Sequence, residues 1–381
     1  MSRRIALYVH RLTISNPTGV HRYALELARA LSAQAEQKGD RLEMWSGRDP
    51  ATAGRGLPGV TTRQLPRRRQ AVHATWSAVG RPRIETMTGR LDLVHALLPA
   101  FPVASRAPLV LTIHDLLPLT NPDWFARVPL WGFHRSVRDA ERRAAAIISP
   151  SQVVVDDVRD RLGVEPARLH LVPEGVDGFF AQPVDPAQAE RTLRRHGVET
   201  GRFLVAIGQV SPRKNLEVVI QALAALRSRG RTPPPLVVIG GSDAASAPTH
   251  AAPGRLGVAD LVRFTGRLDD SDLRALLQHA TALVHPSRYE GFGLTPLEAM
   301  AAGVPVVASS AGSLPEVVGD AGMLADPDDV TAWAEAIALL QDDLARGEAL
   351  AAAGRRRAAR YTWEEAARRT WEVYEAVLAR R

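Results

Sequence analysis

Two successive series of short apolar runs, separated by stretches of helical periodicity, restrict this chain to doubly wound parallel sheets. The first series occupies residues 5–9, 92–95, 109–113, 145–149 and 169–172; the second occupies 203–207, 236–240, 262–265, 281–285 and 304–308. Short aliphatic runs without polar alternation suit strands covered on both faces, and the intervening helices supply the crossovers that parallel strands need. At residues 174–186 the pattern lapses into a Gly, Pro and Asp stretch, which reads as an inter-domain linker. The expected fold class is therefore α/β, with one Rossmann-like doubly wound domain at 1–180 and a second at 181–360. A length of 381 residues accommodates two such domains.

Beyond 360, Thr362 and Glu365 form a capping box, and Trp363, Trp371, Tyr374 and Leu378 share one face of the helix that follows. That helix, within 361–381, is expected to pack back onto the first domain. Helical spacing also links Val20, Tyr23, Ala24, Leu27 and Leu31 after a loop at 15–19, while the Ala, Ser and Pro-rich residues 242–253 read as a loop.

The chemistry concentrates between two apolar runs, in HPSRYEGFGLTPLEAMAAGVPVV. Pattern places it as strand, loop, helix, strand, and ligands of parallel sheets bind at the strands' carboxyl ends, where glycine admits a phosphate to backbone N–H groups. Glu290 and Glu298 suit pairs of sugar hydroxyls, with amides between them for a diphosphate: a sugar-nucleotide site. Glu298 has a second reading. Thr295-Pro296-Leu297-Glu298 fits a capping box with Pro at the first helical position, so Glu298 closes its own helix on that reading. Glu290, before Gly291-Phe292-Gly293, has no such structural alternative.

In AIGQVSPRKNLEVV, Gly208 ends a strand and Arg213 and Lys214 precede a helix, a placement that suits a diphosphate. Lys38 and Lys214 are the only lysines among 48 basic residues, so a lysine here points to a demand for a compact charge. His114 and Asp115 follow the strand at 109–113; His114 is either a contact for a donor sugar or a loop histidine beside a turn residue. Gly19, before the first helix, offers another amide end. Asp270-Ser271-Asp272 reads as a helix start in preference to a metal pair. Walker A and HExxH patterns are absent from the sequence, which counts against P-loop and zinc-protease chemistry.

Composition narrows the setting. With 45% hydrophobic and 23% charged residues the chain is globular, and the lack of cysteine removes disulfides, thiol nucleophiles and thiolate metal sites. The apolar run at 5–9 is too short for a signal-peptide core, so a cytoplasmic address is expected. The formal charge of +7 lies wholly before residue 186. Within it, Arg55, Arg63, Arg67, Arg68, Arg69, Arg81, Arg83 and Arg90 face only Glu85, in a stretch that also carries Trp76. This is a solvated face, a nucleic-acid surface or a peripheral contact with anionic membrane.

Taken in order, PTGVHRY, TIHDLLPL, ISPSQ, VPEGVD, GQVSPRKN, VRFTGRL, EGFGLTPLEAMAAGVPVVAS and GSLPEVVGDAG resemble glycosyltransferase family 4, the retaining enzymes of GT-B architecture with two facing Rossmann-like domains. The resemblance spans nearly the whole chain. It implies that Glu290 holds a donor-sugar hydroxyl, and that the amides of Phe292, Gly293, Leu294 and Thr295 hold sugar and phosphate. Glu298 would bind the ribose, Arg213 and Lys214 the diphosphate, His114 the sugar, and backbone from Gly266 to Leu268 the base; Gly19, Gly208, Gln209 and Gly291 are further substrate-binding candidates by their place beside these groups. Gln209 stands where arginine is usual, Glu174 where asparagine is common, and PTGVHRY lacks the usual paired glycines.

TIHDLLPLTNPDWF and SPRKN are similar to mannosyltransferase-type members that build bacterial surface polysaccharides. The implied function is transfer of a hexose, mannose from GDP-mannose, to a glycan or lipid-linked acceptor, with the departing phosphate helping to deprotonate that acceptor. No metal or other cofactor and no nucleic-acid partner is expected. The location is cytoplasmic, with peripheral contact at the inner membrane face through residues 55–90. The alternatives are a UDP-sugar donor, a sugar-nucleotide epimerase, and a basic polyanion- or membrane-binding protein with a degenerate transferase core.

Overall fold

The computed structural model describes residues 2–10, 19–48, 60–98, 101–125 and 130–380. They form two compact units, Met1–Gly175 with Thr362–Arg381, and Val176–Tyr361. In the first, seven strands run β1 (Arg4–Val9), β2 (Arg41–Arg48), β3 (Thr61–Arg68), β4 (Leu93–Ala96), β5 (Leu109–Thr112), β6 (Ala144–Ser149) and β7 (Leu169–Leu171), ordered β3-β2-β1-β4-β5-β6-β7. Every pairing is parallel. In the second unit β8 (Leu204–Ile207), β9 (Leu236–Ile239), β10 (Val262–Gly266), β11 (Ala282–His285), β12 (Val306–Ser309) and β13 (Met323–Ala325) are ordered β10-β9-β8-β11-β12-β13, again all parallel.

Each sheet reverses its order once, between β1 and β4 and between β8 and β11. These two doubly wound units are the halves of a GT-B fold. The central strands are fully buried, as their unbroken aliphatic runs require: β4, β5, β9, β11 and β12 bury every residue.

Three strands lie outside the apolar series. β2 carries a buried carboxylate, Glu43, which its neighbours neutralise: Arg4 Nη2 and Arg63 Nε lie 2.8 and 2.9 Å from its oxygens. β3 and β13 are sheet edges, where one side lacks a neighbour and short or polar sequence is tolerated. β3 lies within the arginine-rich stretch from Arg55 to Arg90. Of that stretch, Arg55 and the side chains of Arg67, Arg68 and Arg69 lie outside the described residues. Trp76 is 2% exposed and donates to the Pro82 carbonyl, so it belongs to the core and is withdrawn from any surface contact.

Residues 242–253 are not a loop. Asp243 caps a short turn in a reciprocal box with Ser246, and a helix follows at Ala247–Arg255. Val176 to Asp185 is likewise packed in place of forming a loose linker, since Phe180 is buried with Phe203 and Leu276 in the second unit's core. Among the described residues no helix is long and apolar enough to cross a membrane.

The closing helix, Trp363–Ala379, belongs to the first unit, as its apolar face implied. Thr362 Oγ1 accepts from the Glu365 amide at 3.1 Å, and Trp363, Trp371 and Tyr374 are buried. Tyr374 OH meets His95 Nδ1 on β4 at 2.6 Å. Gly175 lies so close to this helix that a Cβ there would stand 2.4 Å from the Trp363 amide nitrogen.

Candidate functional site

In the second unit the reversal of strand order separates the crossovers leaving β8 and β11 and opens a crevice at their carboxyl ends. Both loops deliver charge there. The segment after β8 turns at Gly208, makes a single 3-10 turn at Pro212–Lys214, and enters its helix through Asn215, whose left-handed φ of 49° is anchored by its amide's bond to the Pro327 carbonyl at 2.6 Å. The loop after β11 brings in Glu290. Lys214 Nζ is 2.7 Å from Glu290 Oε1, and Arg213 Nη1 is 2.9 Å from Oε2 and donates to the Tyr289 carbonyl at 2.8 Å.

His285, at the end of β11, lies 3.1 Å from the same Oε1. Burial, and after it Lys214, pushes His285 down to about 4, so at neutral pH the ring is uncharged and donates to the carboxylate through Nε2. Burial opposes the charge on Glu290, but Arg213, Lys214 and His285 outweigh it and hold the carboxyl well below its usual range. Lys214 is pushed down by burial, against the pull of Glu290. At 2.7 Å and an effective dielectric near 20, the Lys214–Glu290 attraction is about 6 kcal/mol before desolvation. Two half-buried cations thus converge on one carboxylate, with their donors held at a single point where an anionic group could share them.

Glycines set the approach. A Cβ on Gly208 would stand 3.1 Å from Lys214 Cε, so the lysine lies across bare backbone. Gly312 adopts φ +58°, and a Cβ there would be 2.7 Å from the Glu290 carbonyl. Ser313 locks the same loop, its Oγ donating to the carbonyls of Glu290 and Phe292 at 2.9 and 2.5 Å.

Gly208, Arg213, Lys214 and Glu290 are thus brought together, and Glu298 is near enough for its charge to act on Lys214. The helix carrying Glu298 begins at Leu294, not at Pro296. Gly293, at φ 114°, is its cap and no side chain caps it. The Thr295–Glu298 box is therefore not formed, because the left-handed glycine already turns the chain into the helix two residues earlier.

The amides of Leu294 and Thr295 open this helix, Gly291 lies in the loop before it, and Phe292 buries its ring against Tyr361. Gln209 points its amide at Asp243, 3.1 Å away. Gly266 ends β10 with φ 72°, and half-buried Leu268 follows. Asp272 is an internal partner, accepting from Thr192 Oγ1 at 2.6 Å and paired with Arg195 at 2.7 Å. Among the described residues no group of three His, Cys, Asp or Glu side chains is arranged to hold a metal ion.

Gly19 and His114 belong to the first unit. Gly19 is the exposed first residue of the helix Gly19–Lys38, and the loop before it lies outside the described residues. His114 is buried after β5, with Nδ1 3.0 Å from Glu174 Oε1 and Nε2 3.1 Å from the Leu97 carbonyl. Sequence reasoning missed His285, Asn215, Gly312 and Ser313. Only Gly312-Ser313, a turn pair ahead of a helix, carries a local signal.

The family model described as Glycosyl transferases group 1 matches residues 188–357, and that described as Glycosyltransferase Family 4 matches residues 17–178. The D-inositol 3-phosphate glycosyltransferase of Salinispora arenicola is 32% identical over 99% of this chain and 93% of its own length. The O-antigen chain mannosyltransferase B of Escherichia coli is 33% identical over 70% of each chain. Among solved structures, the sucrose-phosphate synthase of Thermosynechococcus elongatus superposes with a TM-score of 0.78 at 23% identity, covering both chains completely.

Proposed function

The chain belongs to glycosyltransferase family 4, as a nucleotide-sugar-dependent hexosyltransferase, and from that premise we propose that it moves mannose from GDP-mannose to a hydroxyl of a glycan or lipid-linked acceptor with retained configuration. The observation that carries the reading is the Arg213–Lys214–Glu290 cluster at the reversal of strand order in the second unit. On this reading Arg213 and Lys214, in place of a metal ion, neutralise the diphosphate, and Lys214 as a point charge stabilises it as it departs. Glu290 releases one cation to the phosphate and accepts from a sugar hydroxyl; Glu298 takes the ribose diol. The amides from Gly291 to Thr295 hold sugar and phosphate, Gly208 and Gln209 border the phosphate, and backbone from Gly266 to Leu268 meets the base. Gly19 and His114 are proposed as the first unit's phosphate and sugar contacts.

Mannose as the sugar is supported by the mannosyltransferase relative from Escherichia coli. A second reading of the acceptor, an inositol phosphate, is favoured by the Salinispora relative, which aligns over nearly all of both chains. The test is a screen of GDP- and UDP-sugars by thermal shift, followed by transfer assays with glycan, lipid-linked and inositol phosphate acceptors. Lys214→Ala and Glu290→Ala serve as controls, each expected to lose about two to three orders of magnitude in turnover. Stabilisation by UDP-sugars alone would overturn the donor, and undiminished turnover in both variants would overturn the site.

A further inference from the structure

Inside the first unit, both ring nitrogens of His114 are committed to fixed partners. Nε2 faces the Leu97 carbonyl at 3.1 Å, and Nδ1 faces Glu174 Oε1 at 3.0 Å, with His114 8% and Glu174 4% exposed. A carbonyl oxygen only accepts, so Nε2 carries a hydrogen. Nδ1 and Glu174 must then share one more proton, because a bare nitrogen against a buried carboxylate would set two lone pairs in opposition. Whichever of the two atoms holds that proton, Nε2 remains a donor.

The surroundings fix the ring. Tyr23 packs edge-on at 4.5 Å and 84°, and its hydroxyl meets Thr112 Oγ1 at 3.1 Å. Thr112 also meets His95 Nε2 at 2.7 Å, and His95 is held neutral, pushed down to about 3 by burial and then by His114. Asp115, next in sequence, directs Oδ1 to the Leu117 amide. On the far side, Trp363 of the closing helix packs on Tyr23 at 5.9 Å. Glu174 itself is anchored by the next residue, Gly175, whose backbone lies against Trp363 with no room for a Cβ.

We propose that Glu174 is a positioning residue that fixes His114 as a hydrogen-bond donor through Nε2 and excludes it from acting as a base. The catalytic consequence rests on the proposed role of His114 as a sugar contact. A sugar hydroxyl oxygen takes over the Nε2–H from the Leu97 carbonyl while Nδ1 stays on Glu174, so the ring turns little and keeps its proton. The acceptor's proton then has to leave to a group other than this histidine.

Nitrogen-15 spectra of the full chain test the arrangement without any substrate. The expected result is a protonated Nε2 in the wild type and in Glu174→Gln, whose amide donates to Nδ1; a bare Nε2 in either overturns the proposal. In transfer assays, Glu174→Gln keeps kcat within about threefold. Glu174→Leu, which leaves Nδ1 without its partner, loses about tenfold or more in kcat with donor KM changed by less than about twofold, as for lost orientation in the transition state. Wild-type kcat in Glu174→Leu overturns the proposal equally, and if that variant does not fold the spectra of the other two proteins decide. Absence of transfer from every sugar nucleotide would defeat the proposed function and leave the spectroscopic result standing.

Discussion

Replacing Glu290 by Gln removes the carboxylate that two half-buried cations share. At 2.7 and 2.9 Å and an effective dielectric near 20, the two attractions are each about 6 kcal/mol before desolvation. Desolvation and relaxation absorb most of that, and breaking a buried pair typically costs about 3–5 kcal/mol. The lower end applies here, because both cations remain partly exposed to solvent. Glu290→Gln should therefore lose about 3 kcal/mol of unliganded stability in chemical denaturation. A nucleoside diphosphate returns the missing negative charge. The gain in stability from saturating GDP should thus exceed the wild-type gain by about 1.4 kcal/mol, the equivalent of tenfold tighter binding. Turnover falls by about two to three orders of magnitude, since the amide cannot accept as strongly from the sugar. Equal unliganded stability together with an equal GDP-induced shift would refute the reasoning, for it would mean that the cations do not depend on Glu290.

Gly312→Ala pushes a methyl group to within 2.7 Å of the Glu290 carbonyl in a left-handed backbone, and should cost about 1–3 kcal/mol with a larger proportional loss of turnover, compared by melting and transfer assays. Tyr374→Phe leaves His95 Nδ1 without its partner and should destabilise the first unit by about 1–3 kcal/mol in urea titration; no change would show that the bond contributes nothing. His95 and His285 have folded pKa values of about 3 and about 4, below the ~6.5 of an unfolded histidine. As pH falls below ~6.5 the unfolded chain takes up protons that the fold refuses. Stability should then drop by about 1.4 kcal/mol per pH unit for each ring down to pH ~4, and His95→Gln should lower the slope by about that amount.

The parts legible in sequence share a physical cause. Strands buried on both faces must be aliphatic throughout, so β4, β5, β9, β11 and β12 announce themselves. β2 hides a neutralised carboxylate, and β3 and β13 are edges, where no such demand acts. Arg213, Lys214 and Glu290 could be placed because each follows a strand end, and strand ends of such sheets collect ligands. Their mutual contact could not, since it depends on β8 and β11 being neighbours, a matter of topology. His285 read only as the last residue of a strand, and Glu174 only as a departure from the family pattern. Each acquires its part from a partner distant in sequence or across the loop. Gly293 shows the opposite failure: Thr295-Pro296-Leu297-Glu298 is a sound local signal, overridden by a glycine that could begin the helix sooner.

The closing helix makes the first unit discontinuous, and this bears on the order in which a ribosome can finish the molecule. Residues 2–175 emerge first, yet the partner of His95 and the surface against Gly175 arrive only after the whole of Val176–Tyr361 has been made. Domains generally fold as units in the order of synthesis. Here the unit begun first is completed last, and the continuous second unit can close while the first still exposes the groove meant for Trp371 and Tyr374. A nascent chain stalled before residue 362 should therefore present a protease-resistant second unit joined to a first unit open to chaperones and cleavage.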